Sequence, residues 1–192
     1  MNNGNDMRAR RWTRALLATA MMLALPAAAQ PSVADMDPAW REGEVPPPPA
    51  WSTARMVRID MPVYSNVMVG VDVDSVTVSG KDGVVRYVAV VQGRDDAWSA
   101  YYQGVHCKSF QGRTYARYRS GPDAQGWENV DDVWQDLKEI RSRVPRAIAQ
   151  AGACENSVPA SNTAQVRRAY ARNAKWRGAT FQGHAASQAA QP

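Results

Sequence analysis

Between residues 55 and 119 the apolar positions recur mainly every second residue, the period of a β-strand. Residues 55–60 alternate Val57 and Ile59 with Met56, Arg58 and Asp60, and Pro62 ends the run or confines it to a sheet edge. Val67, Val69, Val71 and Val73 alternate with Met68, Gly70, Asp72 and Asp74, but the apolar parity then shifts to Val76 and Val78. Such a shift turns every side chain to the other face, so a bulge or bend is predicted near Asp74 and Ser75. Gly80-Lys81-Asp82-Gly83 predicts a hairpin turn, because Asp and Gly tolerate positive φ. Residues 84–92 are apolar on both parities and β-branched, as in a central strand covered on both faces. After a turn at 93–96, residues 98–107 place Trp98, Ala100 and Tyr102 on one parity and Tyr101 on the other. Residues 110–119 set Arg113, Tyr115, Arg117 and Arg119 against Thr114, Ala116 and Tyr118, and 121–126 is a loop.

The period then changes. Val130, Val133, Trp134, Leu137, Ile140 and Val144 recur at three and four, which predicts an amphipathic helix that Pro145 breaks or kinks. Another turn or two of helix is expected over 146–151, stopped by Gly152. A last helix is predicted over 162–176, capped by Asn162, with Val166, Ala169, Tyr170 and Ala174 on its apolar face. Short turn-linked strands followed by helices define an α+β class. The expected architecture is a mainly antiparallel sheet of about five strands, with the C-terminal helices packed on one face.

The chain ends carry different signals. Arg8, Arg10, Arg11 and Arg14 precede an apolar stretch at 15–25, and Ala27-Ala28-Ala29 follows. This is the order of a cleaved signal peptide, and the stretch is too short for a stable transmembrane anchor. Residues 1–29 are therefore expected to be removed, with a periplasmic destination. Arg10-Arg11 before Trp12 is a partial twin-arginine pattern, but the ordinary secretory route is the better reading. Residues 30–54 form a Pro-rich leader, in which Pro46-Pro47-Pro48-Pro49 between Trp40 and Trp51 should adopt polyproline II. The leader reads as a stiff spacer with its tryptophans against the domain edge. The α+β domain is assigned to residues 55–154, and a basic helix and disordered tail to 155–192.

Charge alters little after that division. The full chain has 23 basic and 18 acidic residues. Four of those arginines, with Asp6, lie in the signal segment, which leaves 19 against 17. The high isoelectric point is thus weak evidence for a nucleic-acid partner, and none is expected. The local excess is Arg167, Arg168, Arg172, Lys175 and Arg177, with no acidic residue after Glu155. This tail helix could touch anionic lipid or cell wall, but its small apolar face favours a solvated tail.

Cys107 and Cys154 are the two cysteines, and in an exported chain such a pair is expected to form a disulfide. Neither lies in a C-x-x-C motif, so a structural bond is favoured over a redox-active one. His106 and His184 match no zinc spacing, and neither a metal nor a cofactor is expected. His106 beside Cys107 invites a cysteine-nucleophile reading, but strand neighbours diverge, and His106 is placed at a surface or sheet edge. Asp72, Asp74, Asp95, Asp96, Asp131 and Asp132 offer carboxylate pairs without calcium-loop spacing. No phosphate loop or nucleophile elbow is present, and no catalytic residues are assigned. Tyr101, Tyr102, Arg113, Tyr115 and Arg117 interleave aromatics with cations, the composition of a possible binding surface. Such a pattern is equally that of a sheet with aromatic cross-strand pairs and a charged outer face.

Asp82-Gly83-Val84-Val85-Arg86-Tyr87, then Tyr102-Gln103-Gly104-Val105-His106-Cys107, then Arg113-Thr114-Tyr115-Ala116, Gly126-Trp127, Trp134 and Cys154 form an ordered series. In that series, and in its Pro-rich leader, the chain resembles the cryptic neisserial protein-like family over residues 40–154. The resemblance implies a small exported bacterial protein with Cys107 and Cys154 paired, and it implies no activity. Together these readings point to a non-enzymatic envelope binding or interaction module. Its expected partner is an envelope protein or an anionic cell-wall component. The alternative is a hydrolase-like envelope enzyme using scattered carboxylates. Oligomeric state is left open.

Overall fold

A computed structural model describes residues 39–62, 65–93, 98–119, 126–155, 158–159 and 162–173. All of them belong to one unit, Pro31–Pro192. The segment read as a signal peptide, Asp95 and Asp96, Ala174 and the tail after it lie outside the described residues.

An antiparallel meander forms the body. Its strands are β1 (Met56–Ile59), β2 (Met68–Val78), β3 (Val84–Gln92), β4 (Trp98–His106), β5 (Gln111–Arg119) and β6 (Gly126–Asn129), adjacent in that order. The two-residue β7 (Gln135–Asp136) pairs with Gln111 and Gly112 of β5, while β6 pairs with Ala116 to Arg119. The sheet has seven strands, more than the five expected, because β6 and β7 are too short to show a period. A separate ribbon joins β8 (Cys154–Glu155) to β9 (Val158–Pro159).

The bulge in β2 is present, as a register shift between Asp72 and Thr77. Ser75 fills it: its hydroxyl donates to Asp72 O at 2.6 Å and accepts from Val88 N at 2.8 Å. The predicted hairpin closes with Gly83 at φ 71°, the conformation that favours glycine. Every residue of β3 except Val91 is buried.

One face of the sheet carries Val69, Val71, Val76, Val85, Tyr87 and Val105, packed against Ile148, Ala149, Val166 and Tyr170. The last four come from α1 (Arg143–Ile148), a π turn (Ala149–Ala153) and α2 (Thr163–Asn173). Asn162 caps α2, accepting from Gln165 N at 2.9 Å, and the π turn sets Gly152 beneath the Tyr170 ring. A Cβ at 152 would lie 2.6 Å from Tyr170 Cγ, so a larger residue there displaces the ring. Cys107 and Cys154 are joined, fastening this helical layer to the end of β4.

The helix predicted over 130–144 does not form. Val130 and Val133 are 38 % and 69 % exposed. Trp134 and Leu137 serve opposite faces, the indole reaching Glu42 and the leucine entering the helix-side core beside Gly112. A single helical stripe cannot do both. Pro145 begins a helix rather than breaking one, since it sits in the first turn of α1, where no N–H is required.

The other face carries Val88, Val90, Ala100, Tyr102, Tyr115, Ala116 and Tyr118. Residues 39–52 of the leader lie across it and, among the described residues, pair with no strand. Trp51 is 3 % exposed, wedged against Trp98 and Tyr118, whose ring centroids lie 5.4 and 5.6 Å away. The leader is therefore the second cover of the sheet.

Candidate functional site

Two places bring together groups that can recognise a ligand. The first is a cleft of about 610 Å³ on the helix side, where the sheet runs out beyond α1. Met61 and Val67 from the β1–β2 connection, Val91 of β3, Ile140 and, within α1, Val144 make it mainly apolar. Tyr101, Gln103 and Thr114 supply its polar floor, and Arg141 before α1 and Arg143 at its start line it. Gln103 is 9 % exposed; its Nε2 donates to Thr114 Oγ1 at 3.2 Å, while its Oε1 is buried with no partner among the described residues. A buried acceptor left unpaired costs free energy that a donor on a ligand would recover.

The second lies on the leader side and is centred on Glu42. Its Oε1 accepts from Tyr115 Oη at 2.6 Å and Arg86 Nη2 at 3.2 Å. Its Oε2 accepts from Arg113 Nη1 at 3.0 Å and Trp134 Nε1 at 3.1 Å. Arg86 also donates to Asp82 Oδ2 at 2.9 Å. Asp82 accepts from Gly43 N at 2.9 Å and Val84 N at 3.0 Å as well. Burial alone would raise the Asp82 carboxyl; the hydrogen bonds from Arg86, Ser79, Val84 and Gly43 outweigh it and hold the group well below the carboxylate range. Burial likewise opposes the Arg86 charge, but Asp82, Tyr115 and Glu42 raise its pKa above the usual value. Tyr115 is pushed up by burial and by its bond to Glu42, so the phenol stays protonated and donates.

Local sequence explains how Tyr115 arrives there. The β4–β5 register shifts between Tyr102 and Gln103, making Tyr115 the extra residue of a bulge. Its ring then crosses Gly104, where no Cβ obstructs it. Between the stretches paired to β6 and β7, Asp132 takes the place of a strand by accepting from Thr114 N at 3.0 Å.

This bulge also divides the residues singled out from sequence as a binding surface. Tyr101 and Arg117 lie on the cleft side, with the guanidinium carbon 6.0 Å from the ring centroid. Tyr102, Arg113 and Tyr115 lie on the opposite side, among or beside the residues covered by the leader. His106 is buried, not at a surface or edge: it faces Trp40 at 4.7 Å, contacts Ser109 Oγ at 2.8 Å, and has its pKa lowered by burial. Glu42, Arg86, Trp134, Gln103 and Arg141 were not read as site residues from the sequence; Arg86, Gln103 and Trp134 entered only as members of the ordered motif series. The one sequence clue was Glu42 itself, an acid set between a tryptophan and a proline run.

The architecture defines a small disulfide-closed α+β domain with an antiparallel sheet covered by helices on one side and by its own leader on the other. The sequence matches the CNP1-like family over residues 35–171, and the chain belongs to that family of small bacterial proteins. No curated protein and no solved structure matches it. Among the described residues no three His, Cys, Asp or Glu side chains form a group that could hold a metal, and no helix is long and apolar enough to cross a membrane.

Proposed function

We propose that the protein is an exported, periplasmic binding module whose ligand is an anionic amphiphile of the envelope. The helix-side cleft is the observation that carries this reading. Its apolar walls suit a hydrocarbon body, the orphan Gln103 Oε1 suits an amide or hydroxyl donor, and Arg141 suits an anionic head. The disulfide fits an oxidising compartment, and the basic and apolar order of residues 8–29 supports export. The carboxylates support binding over acid–base catalysis. Asp72 accepts from Ser52 N and Asp74 N, and Asp132 from Thr114 N and Val133 N, which commits both to holding backbone.

An N-acyl amino acid combines those three features, so N-decanoylglycine is the probe. Calorimetric titration into the oxidised protein should show saturable binding. Arg141→Glu should weaken it by about tenfold or more, the scale of one charge reversal. Gln103→Leu should weaken it while leaving decanoate itself less affected. Absence of binding, or binding indifferent to both substitutions, refutes the assignment.

A further inference from the structure

We infer that the leader-side face of β3–β5 is a peptide-recognition site, and that residues 40–43 are its tethered ligand. The ligand class is an acidic peptide carrying an aromatic residue two positions before a glutamate and a glycine after it. Each of these three positions makes its own contacts with the face. The Trp40 indole donates to Asp82 O at 2.9 Å, and its ring lies 4.7 Å from His106 and 5.6 Å from Trp134. The Glu42 carboxylate is held at both oxygens by Arg86, Tyr115, Arg113 and Trp134. Gly43 donates its N–H to Asp82 Oδ2, and a Cβ there would lie 3.1 Å from that same oxygen. Arg41, at the intervening position, is exposed.

Two features make this a site rather than ordinary packing. The segment is held by the Trp40 and Glu42 side chains and the Gly43 N–H, with no strand pairing among the described residues, so it lies outside the hydrogen-bonded ladder of the sheet. Arg86 and Arg113 also each keep a buried Nε without a partner among the described residues, so the cradle has donor capacity beyond what Glu42 uses. Pro46-Pro47-Pro48-Pro49 separates this anchor from the Trp51 anchor and, with no N–H to donate, cannot join the sheet. The two anchors can therefore release independently. A tethered ligand competes at an effective concentration on the order of millimolar, so binding in trans is exposed by weakening the tether's own anchor.

The test uses the full oxidised chain and a fluorescein-labelled peptide of residues 39–45. Glu42→Ala should bind the peptide saturably and about tenfold or more tighter than the unsubstituted chain, the loss expected of a charge-assisted hydrogen bond in the competing tether. The same peptide with alanine in place of Glu42 should not bind, and adding Arg113→Ala to the Glu42→Ala chain should weaken binding by a similar factor. Glu42→Gln, which keeps the cradle filled, serves if the alanine variant does not fold, and it should also bind the peptide more tightly than the unsubstituted chain. A folded variant of either kind that does not bind, or binding that ignores the peptide's glutamate, overturns the inference. Because the helix-side cleft takes no part, N-decanoylglycine binding is expected to be unchanged in the same variants.

Discussion

Adding one methyl group at Gly104 tests how the leader-side site is built. On backbone grounds Gly104→Ala should help, since glycine inside a strand is worse than alanine by roughly 0.5–1 kcal/mol. The structure reverses that expectation. The new Cβ would lie 2.8 Å from Tyr115 Cζ and 2.9 Å from Cε2, well inside contact distance. The ring has little room to yield, because Arg86 and Arg113 flank it at 5.7 and 5.6 Å and Glu42 holds its hydroxyl at 2.6 Å. Overpacking of this kind costs about 1–3 kcal/mol, and losing a hydrogen bond to a charged group about 1.5–3 kcal/mol. After the backbone gain, the net loss should be roughly 2–5 kcal/mol. Urea unfolding followed by tryptophan fluorescence measures it. The decisive control is the same substitution in a Tyr115→Ala background, where alanine at 104 should be neutral or stabilising. Equal losses in both backgrounds, or a gain in the unsubstituted chain, would refute the reasoning.

Reducing the disulfide, or Cys154→Ser, should cost about 4 kcal/mol for a loop of this length in the chain-entropy view, read as a lower unfolding temperature in the presence of reductant. Asp82→Asn should change the pH dependence of stability. The folded carboxyl is depressed, so its contribution is complete above the ordinary value of 3.8 and is lost as pH falls from there through the folded value. Acid titrations of stability should therefore be shallower below pH 3.8 in the asparagine variant. Asp132→Ala should leave Thr114 N without its acceptor, costing about 1–3 kcal/mol; hydrogen exchange should speed at Thr114 more than at Gly112, which β7 still pairs.

The strands were legible where a single period ran long enough. The parity shift after Val73 announced the β2 bulge because valines mark both sides of it, and Asp82-Gly83 announced the hairpin. The β5 bulge left no such mark. Arg113, Tyr115 and Arg117 share a parity in sequence, but the extra residue at Tyr115 turns Arg113 to the leader side and leaves Arg117 on the cleft side. The misread helix at 130–144 arose because Trp134 and Leu137 are spaced as on a helix while belonging to opposite faces. The Glu42 cradle was hidden for another reason. Its donors lie 44 to 92 residues away along the chain, beyond the reach of any periodic pattern.

The Cys107–Cys154 bond also sets a load path. Tension applied at β1 and taken up at α2 passes from the end of β4 through the two sulfurs, so the 47-residue separation between them adds no length as the chain extends. Arg113, Tyr115 and Trp134 lie within that shielded loop, whereas Glu42 and Arg86 lie ahead of it. A pull from the N-terminal side would therefore draw Glu42 out while the shielded donors remain together around an empty seat.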